Sequence, residues 1–272
     1  MGKPHTIFTP EDRDNLRAAL IAKAQEDTRI ASGAITGSAA VGREDRWSDI
    51  DLAFGLVEDV PVDPVLANFT QEMYRDYDAI HHVDLISEAT TYRVFLLRNT
   101  LQVDLAFSPS GALKAVGPTF HLVFGNPPPG VPIPRPPFAY GIGWAWLYAL
   151  HARSCIQRGQ WWRAEYMISG MRDAVLALAC TRLDLPVAQA RGVDQLPAAV
   201  TGPLEKSLVR ELNTTELVRA FKAIMEALLR EIGTLDADLK DRLEGPLTMI
   251  VDPDSHHDTP KRNSARGRLC AP

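Results

Sequence analysis

Two aspartates two residues apart, Asp49 and Asp51, alternate with apolar neighbours in Ser48-Asp49-Ile50-Asp51-Leu52-Ala53-Phe54. A period of two reads as a β-strand with both carboxylates on one face. Like charges held that close repel one another, and a cation between them removes the penalty. Hard oxygen donors suit Mg²⁺, which takes a few carboxylates together with the phosphates of a substrate. A third carboxylate from a neighbouring strand would complete a two-metal site, one ion activating an attacking oxygen and the other steadying a leaving phosphate.

Upstream, Gly37-Ser38 closes a short apolar segment, 30–35, and is followed by small residues as far as Gly42. Glycine lets the backbone approach a phosphate closely, and a serine hydroxyl with exposed N–H groups at the start of a helical turn can bind it. Arg43 and Arg46 lie between this cradle and the paired acids. A guanidinium suits triphosphate; the plainer role for both is solvation or pairing with Glu44 and Asp45. Two residues qualify as the third acid: Asp104 in Leu101-Gln102-Val103-Asp104-Leu105-Ala106-Phe107, and Asp84 in His82-Val83-Asp84-Leu85-Ile86. Each stands between apolar neighbours on a strand-like stretch.

At Gly37, Ser38, Asp49 and Asp51, with Ile50 and Leu52 as apolar partners, the chain resembles the DNA polymerase beta-like nucleotidyltransferase superfamily. The motif there is Gly-Ser or Gly-Gly after an apolar residue, a gap of roughly ten residues, then Asp-x-Asp between apolar residues. The likeness covers residues 30–107, and the layout of a small catalytic domain before a helical one resembles the aminoglycoside and lincosamide nucleotidyltransferases. The resemblance implies a third acid after a hairpin, which favours Asp104, behind Arg98-Asn99-Thr100, over Asp84. It implies two Mg²⁺ ions on Asp49, Asp51 and Asp104, with a nucleoside triphosphate, ATP, as co-substrate. Gly37 and Ser38 would hold its phosphates, helped by Arg43 and Arg46, and Asp104 would also accept a proton. The implied reaction moves a nucleoside monophosphate onto a hydroxyl of a small molecule resembling an aminoglycoside or lincosamide. A protein or RNA acceptor, or a non-catalytic nucleotide-binding domain, are the alternatives. In the resembling enzymes the helical half contacts the acceptor and sometimes supplies a base, for which Glu165 and Asp173 are candidates here.

The elements that must position these residues are legible as an α+β fold. Thr9-Pro10-Glu11-Asp12 is a helix start, with Leu16, Ala19, Leu20 and Ala24 at helical spacing. A second helix is predicted over 62–77, with Val65, Leu66, Phe69 and Met73 on one face. Strands are predicted over 79–87, 92–97 and 101–107, with an edge strand at 121–124, giving a mixed sheet. Seven prolines between 126 and 137 then exclude helix and central strand and predict a semi-rigid connector. Beyond it helices are predicted over 139–157, 161–183, 203–212, 215–232 and 236–243, the fourth capped by Thr214 or Thr215. Trp144, Trp146, Trp161 and Trp162 read as packing residues of these helices. The expected organisation is a nucleotidyltransferase domain at 1–125, a connector at 126–138, an all-α bundle at 139–251 and a disordered tail at 252–272.

Composition narrows the classes. With 272 residues and 46% hydrophobic content the chain can bury a core without staples. Its net charge of −5 argues against a whole-surface nucleic-acid binder. Three cysteines, Cys155, Cys180 and Cys270, show no disulfide framework or metal spacing, which fits a reducing, cytoplasmic setting. The N-terminus carries no apolar signal core, and the longest apolar stretch, 141–150, is too short for a membrane span.

Overall fold

The computed structural model describes residues 6–114, 119–130 and 137–251. Pro132, Pro134 and Pro136 of the expected connector, and the whole expected tail with Cys270, lie outside the described residues. The protein is α+β, with a mixed sheet followed by helices. Contacts divide it into two compact units, Met1–Ile133 and Pro134–Pro272.

In the first unit, helix α1 (Pro10–Glu26) opens on a reciprocal cap: the Thr9 hydroxyl accepts from the Asp12 N–H, and the Asp12 carboxylate accepts from the Thr9 N–H at 2.8 Å. Strand β1 (Ile30–Thr36) leads to a single 3-10 turn at Ala39–Val41 and then to β2 (Ile50–Leu56). Helix α2 (Val62–Asp76) buries Val65, Leu66, Phe69 and Met73, the face expected from its spacing. Strands β3 (Ala79–Ser87), β4 (Thr90–Leu97), β5 (Gln102–Ser108) and β6 (Phe120–Phe124) complete a six-stranded sheet in the order β3-β4-β5-β2-β1-β6. Pairing is antiparallel except between β2 and β5, which run parallel at its centre.

That parallel pair explains the sheet's two faces. Ile50, Leu52 and Phe54 of β2, and Val103, Leu105 and Phe107 of β5, are buried with residues of α1 and α2. Phe54, Phe69 and Phe107 meet with ring centroids 5.1–5.7 Å apart. Aromatic contacts of this kind fix strand and helix against each other beyond simple burial. The alternate residues, Asp51 and Ala53 on β2, Asp104 and Ala106 on β5, take the opposite face, where Ala53 and Ala106 join only a small cluster with Leu113.

The second unit is helical among its described residues: α3 (Phe138–Gln157), α4 (Trp161–Arg182), α5 (Ala198–Glu205), α6 (Thr214–Leu235) and α7 (Ala237–Val251). Small residues Ala145, Ala149 and Ala152 on α3 share one core with Ile168, Met171 and Val175 of α4 and Phe221, Ile224 and Leu228 of α6. Half-buried Arg182 pairs with buried Glu231 and ties α4 to α6 at 2.7 Å.

Several expectations for this half are corrected. The helix expected at 203–212 lies instead at Ala198–Glu205, behind an extended Pro197 whose carbonyl accepts from Val200 and Thr201. Residues beyond it leave the helix because their carbonyls serve arginines: Ser207 accepts from Arg172, Leu208 from Arg219. The cap of α6 is Asn213, which accepts from the Glu216 N–H at 2.9 Å, not either threonine. Helix α7 runs on through Pro246, because burial of Leu247 and Ile250 outweighs the one hydrogen bond that proline removes. The four tryptophans do not form packing core: all are exposed, Trp162 at 78%. No helix of the described residues is long and apolar enough to cross a membrane.

Candidate functional site

The register of β2 and β5 places Asp51 directly beside Asp104. Asp49 immediately precedes β2, and one oxygen from each of the three carboxylates lies within 4.8 Å of the others. All three are half-buried, so they are neither free on the surface nor sealed in the core. The local cause is the pleat: every second residue of both central strands is held down by α1 and α2, which forces the intervening acids onto the open face.

Gly37, immediately after β1, packs against one of these carboxylates, that of Asp51. It has φ of +67°, a left-handed conformation that side chains resist, and a Cβ built there would collide with the Asp51 carboxylate. The residue type is therefore demanded twice, by the backbone and by the neighbour. Ser38 follows, and its side chain makes no capping hydrogen bond to the turn behind it. The helix start expected after Gly37-Ser38 is only the three-residue turn Ala39–Val41. A turn that short carries no appreciable macrodipole, so any anion here is held by local N–H groups and the hydroxyl alone.

The loop from Gly42 to Asp49 is clamped from α1. Arg13 is a charged residue on the buried stripe of that helix, 4% exposed, and its guanidinium donates to the Asp45 carbonyl at 2.6 Å and pairs with Glu44 at 3.2 Å. Arg17 pairs with Glu44 at 2.5 Å. Ser48 closes the loop by accepting from the Asp45 N–H at 2.9 Å. Arg46 donates to the Phe8 carbonyl at 2.7 Å and lies over the Phe8 and Trp47 rings. Arg43 is exposed. Neither arginine takes the pairing with Glu44 that sequence offered as the plain alternative. The partners are Arg13 and Arg17, which sequence reading missed. The available signal was Arg13 standing three residues before Leu16 on an otherwise apolar stripe.

Gln102 was also missed. Its side-chain amide donates to Asp104 Oδ1 at 2.9 Å and to Asp49 Oδ2 at 3.3 Å. Two residues before Asp104 on one strand is same-face spacing, which was the signal available. Burial raises the Asp104 carboxyl above the usual carboxylate range, the Gln102 hydrogen bond opposes that, and the Asp49 charge adds to it.

The donor set fits a hard divalent cation. Carboxylate oxygens around Mg²⁺ at its usual bond length span about 4.2 Å when trans and less when cis. Three carboxylate oxygens within 4.8 Å of one another are near enough to share one such ion after side-chain adjustment. Asp84, the other candidate third acid, is not with them. It forms a two-toothed pair with Arg93 at 2.6 Å on each oxygen, on β3, three strands from β2 or about 14 Å across the sheet. Glu165 and Asp173 lie on α4 of the second unit, where Glu165 accepts from Ser169 at 2.6 Å and Asp173 is exposed.

No protein-family model matches the chain, and no curated protein matches it in sequence. Among solved structures it is similar to an aminoglycoside 6-adenyltransferase from Bacillus subtilis, with 11% identity and a TM-score of 0.40 over 90% of this chain and 99% of that one. A likeness at that level says nothing by itself about activity.

Proposed function

We propose that the chain is a nucleotidyltransferase that moves a nucleoside monophosphate from a nucleoside triphosphate, ATP, onto a hydroxyl of a small molecule and releases pyrophosphate. The observation that carries this reading is the meeting of Asp49, Asp51 and Asp104 on one open sheet face with Gly37 pressed against Asp51. Acids alone would make a generic cation site. A glycine turn packed on one of them brings backbone N–H groups, which can bind phosphate, up to the carboxylates without a side chain in between.

Asp49, Asp51 and Asp104 would hold Mg²⁺, two ions in this reading. Bound there, Mg²⁺ supplies charge neutralisation for the triphosphate and a more acidic acceptor hydroxyl. Ser38 and the backbone at Gly37 hold the phosphates that leave. Arg43, exposed on the clamped loop, reaches them from solvent, while Arg46 adds positive field from its station on Phe8. The acceptor oxygen bonds to the α-phosphorus as the bond to the α–β bridging oxygen breaks, and that electron pair departs with pyrophosphate. The hydroxyl proton passes to the Asp104 carboxylate, which lies among the three acids where the acceptor hydroxyl would stand. Most of the rate comes from positioning and electrostatics.

The acceptor class proposed is a hydroxylated antibiotic of aminoglycoside or lincosamide type, which a mildly acidic chain accommodates better than nucleic acid. In this reading residues 1–125 are the nucleotidyltransferase domain that carries the transfer chemistry, 126–138 a connector and 139–251 a helical domain. The test is pyrophosphate release with Mg²⁺ and each of the four nucleoside triphosphates against a panel of such compounds. Metal-dependent release with one acceptor, lost in Asp51→Asn, supports the reading. Triphosphate binding without release against the panel and a cell extract overturns it in favour of a non-catalytic domain.

A further inference from the structure

Gln102 occupies a position no part of the proposed reaction uses. It opens β5, is exposed, and projects its amide between two carboxylates that belong to different segments of the chain. A carboxamide nitrogen has two N–H donors. One goes to Asp104 at 2.9 Å and one to Asp49 at 3.3 Å, so a single neutral dipole spans both anions. Asp51 and Asp104 are positioned by strand register, whereas Asp49 stands just outside β2 and has no ladder partner to fix it. The Gln102 bridge is what joins it to the β5 side of the site.

We infer that Gln102 is the positioning residue of the metal site: it holds Asp49 and Asp104 at ligand spacing before the ion arrives and yields one of its two bonds as the ion is taken up. The inference rests on the metal-dependent reading above. A neutral donor does this without occupying the site electrostatically. A lysine there would span the same anions but would compete with the cation for them, because it brings its own positive charge to the site. An apolar side chain would leave Asp49 unanchored, and the cost of gathering the ligands would then fall on metal binding. Losing an outer partner of a metal ligand commonly weakens affinity by about tenfold or more.

Mn²⁺ binding to the full chain, without nucleotide, is followed by the electron spin resonance signal of the free ion. The parent chain is expected to bind, and Asp104→Asn to lose binding. Gln102→Met should weaken binding about tenfold, and Gln102→Lys should weaken it further. The lysine reports that position 102 faces the ion, and the neutral methionine carries the test of positioning. Because Gln102 is exposed, both variants should melt within a degree or two of the parent. A second measurement needs no variant fold: the Gln102 side-chain amide resonances of the parent should move with the binding curve as Mg²⁺ is added. Equal Mn²⁺ affinity in Gln102→Met, or amide resonances indifferent to Mg²⁺, overturns the inference while leaving the metal site standing. A parent chain that binds no Mn²⁺ overturns both.

Discussion

Asp51 and Asp104 stand side by side across the parallel β2–β5 pair, each the other's register partner. They are 53 residues apart in the chain. Their meeting depends on β5 returning, after α2 and the β3–β4 hairpin, to lie parallel against β2 in one register. A slip of one residue would turn Asp104 toward the buried face and bring Val103 out. The hydrophobic set Val103, Leu105 and Phe107, packed against α1 and α2, forbids that slip.

Asp51→Asn should therefore abolish transfer without unfolding the protein. The amide keeps the shape but lowers the negative charge that gathers the cation. Turnover is expected to fall about a thousandfold or more, while the melting temperature stays within a few degrees. Near-normal pyrophosphate release from this variant would end the proposed mechanism.

The two candidate third acids separate cleanly. Asp104→Asn should match Asp51→Asn in lost turnover. Asp84→Asn should leave turnover close to the parent's and instead loosen the β3–β4 ribbon, since it breaks the paired hydrogen bonds to Arg93. Amide exchange on β3 and β4, measured beside activity, distinguishes the two.

Gly37→Ala tests the contact behind Asp51. A left-handed φ costs a non-glycine residue about 1 kcal/mol, and here the new methyl also displaces the Asp51 carboxylate. Stability in urea should fall by about 1–2 kcal/mol, and kcat/KM by a much larger factor than that loss explains. Unchanged kcat/KM would show that the glycine serves the turn alone.

Arg13→Met should destabilise the first unit by about 2–3 kcal/mol, because it strands the Asp45 carbonyl and removes one partner of Glu44. Arg17 retains Glu44, so the loop should loosen without detaching. Denaturant titration gives the stability, and amide exchange at 43–48 gives the loosening.

In the second unit, the Arg219 guanidinium and the Arg210 N–H hold the Glu216 carboxyl down to about 2. A carboxylate depressed on folding stabilises the native state fully above its unfolded value, about 4.3, and loses that contribution as pH falls toward the folded one. Glu216→Gln should therefore be less stable than the parent at neutral pH. The gap should close between pH 4.5 and 2, read as the difference in melting temperature between the two proteins. A gap independent of pH would mean the charge contributes nothing.

Much of this was legible in residues alone, wherever a signal was local. The Thr9–Asp12 cap, the apolar stripe of α2 and the full extent of β3 each follow from spacing within a few residues. The helix ends from residue 198 onward were misread because tertiary partners decided them. Arg172 and Arg219 take carbonyls that an isolated helix would have used, and Leu247 and Ile250 carry α7 past a proline.

For the site, spacing alone determined that Gly37, Ser38, Asp49 and Asp51 are present in a pattern suited to metal and phosphate, because the pleat's period of two acts within one strand. It left Asp84 and Asp104 alike as apolar-flanked acids. The family resemblance favoured Asp104, and the tertiary structure added what spacing could not, because strand order is a long-range property: it set Asp104 against Asp51 and Asp84 against Arg93. The same holds for Arg13, Arg17 and Gln102, whose partners lie far away in the chain and become neighbours only when the sheet closes.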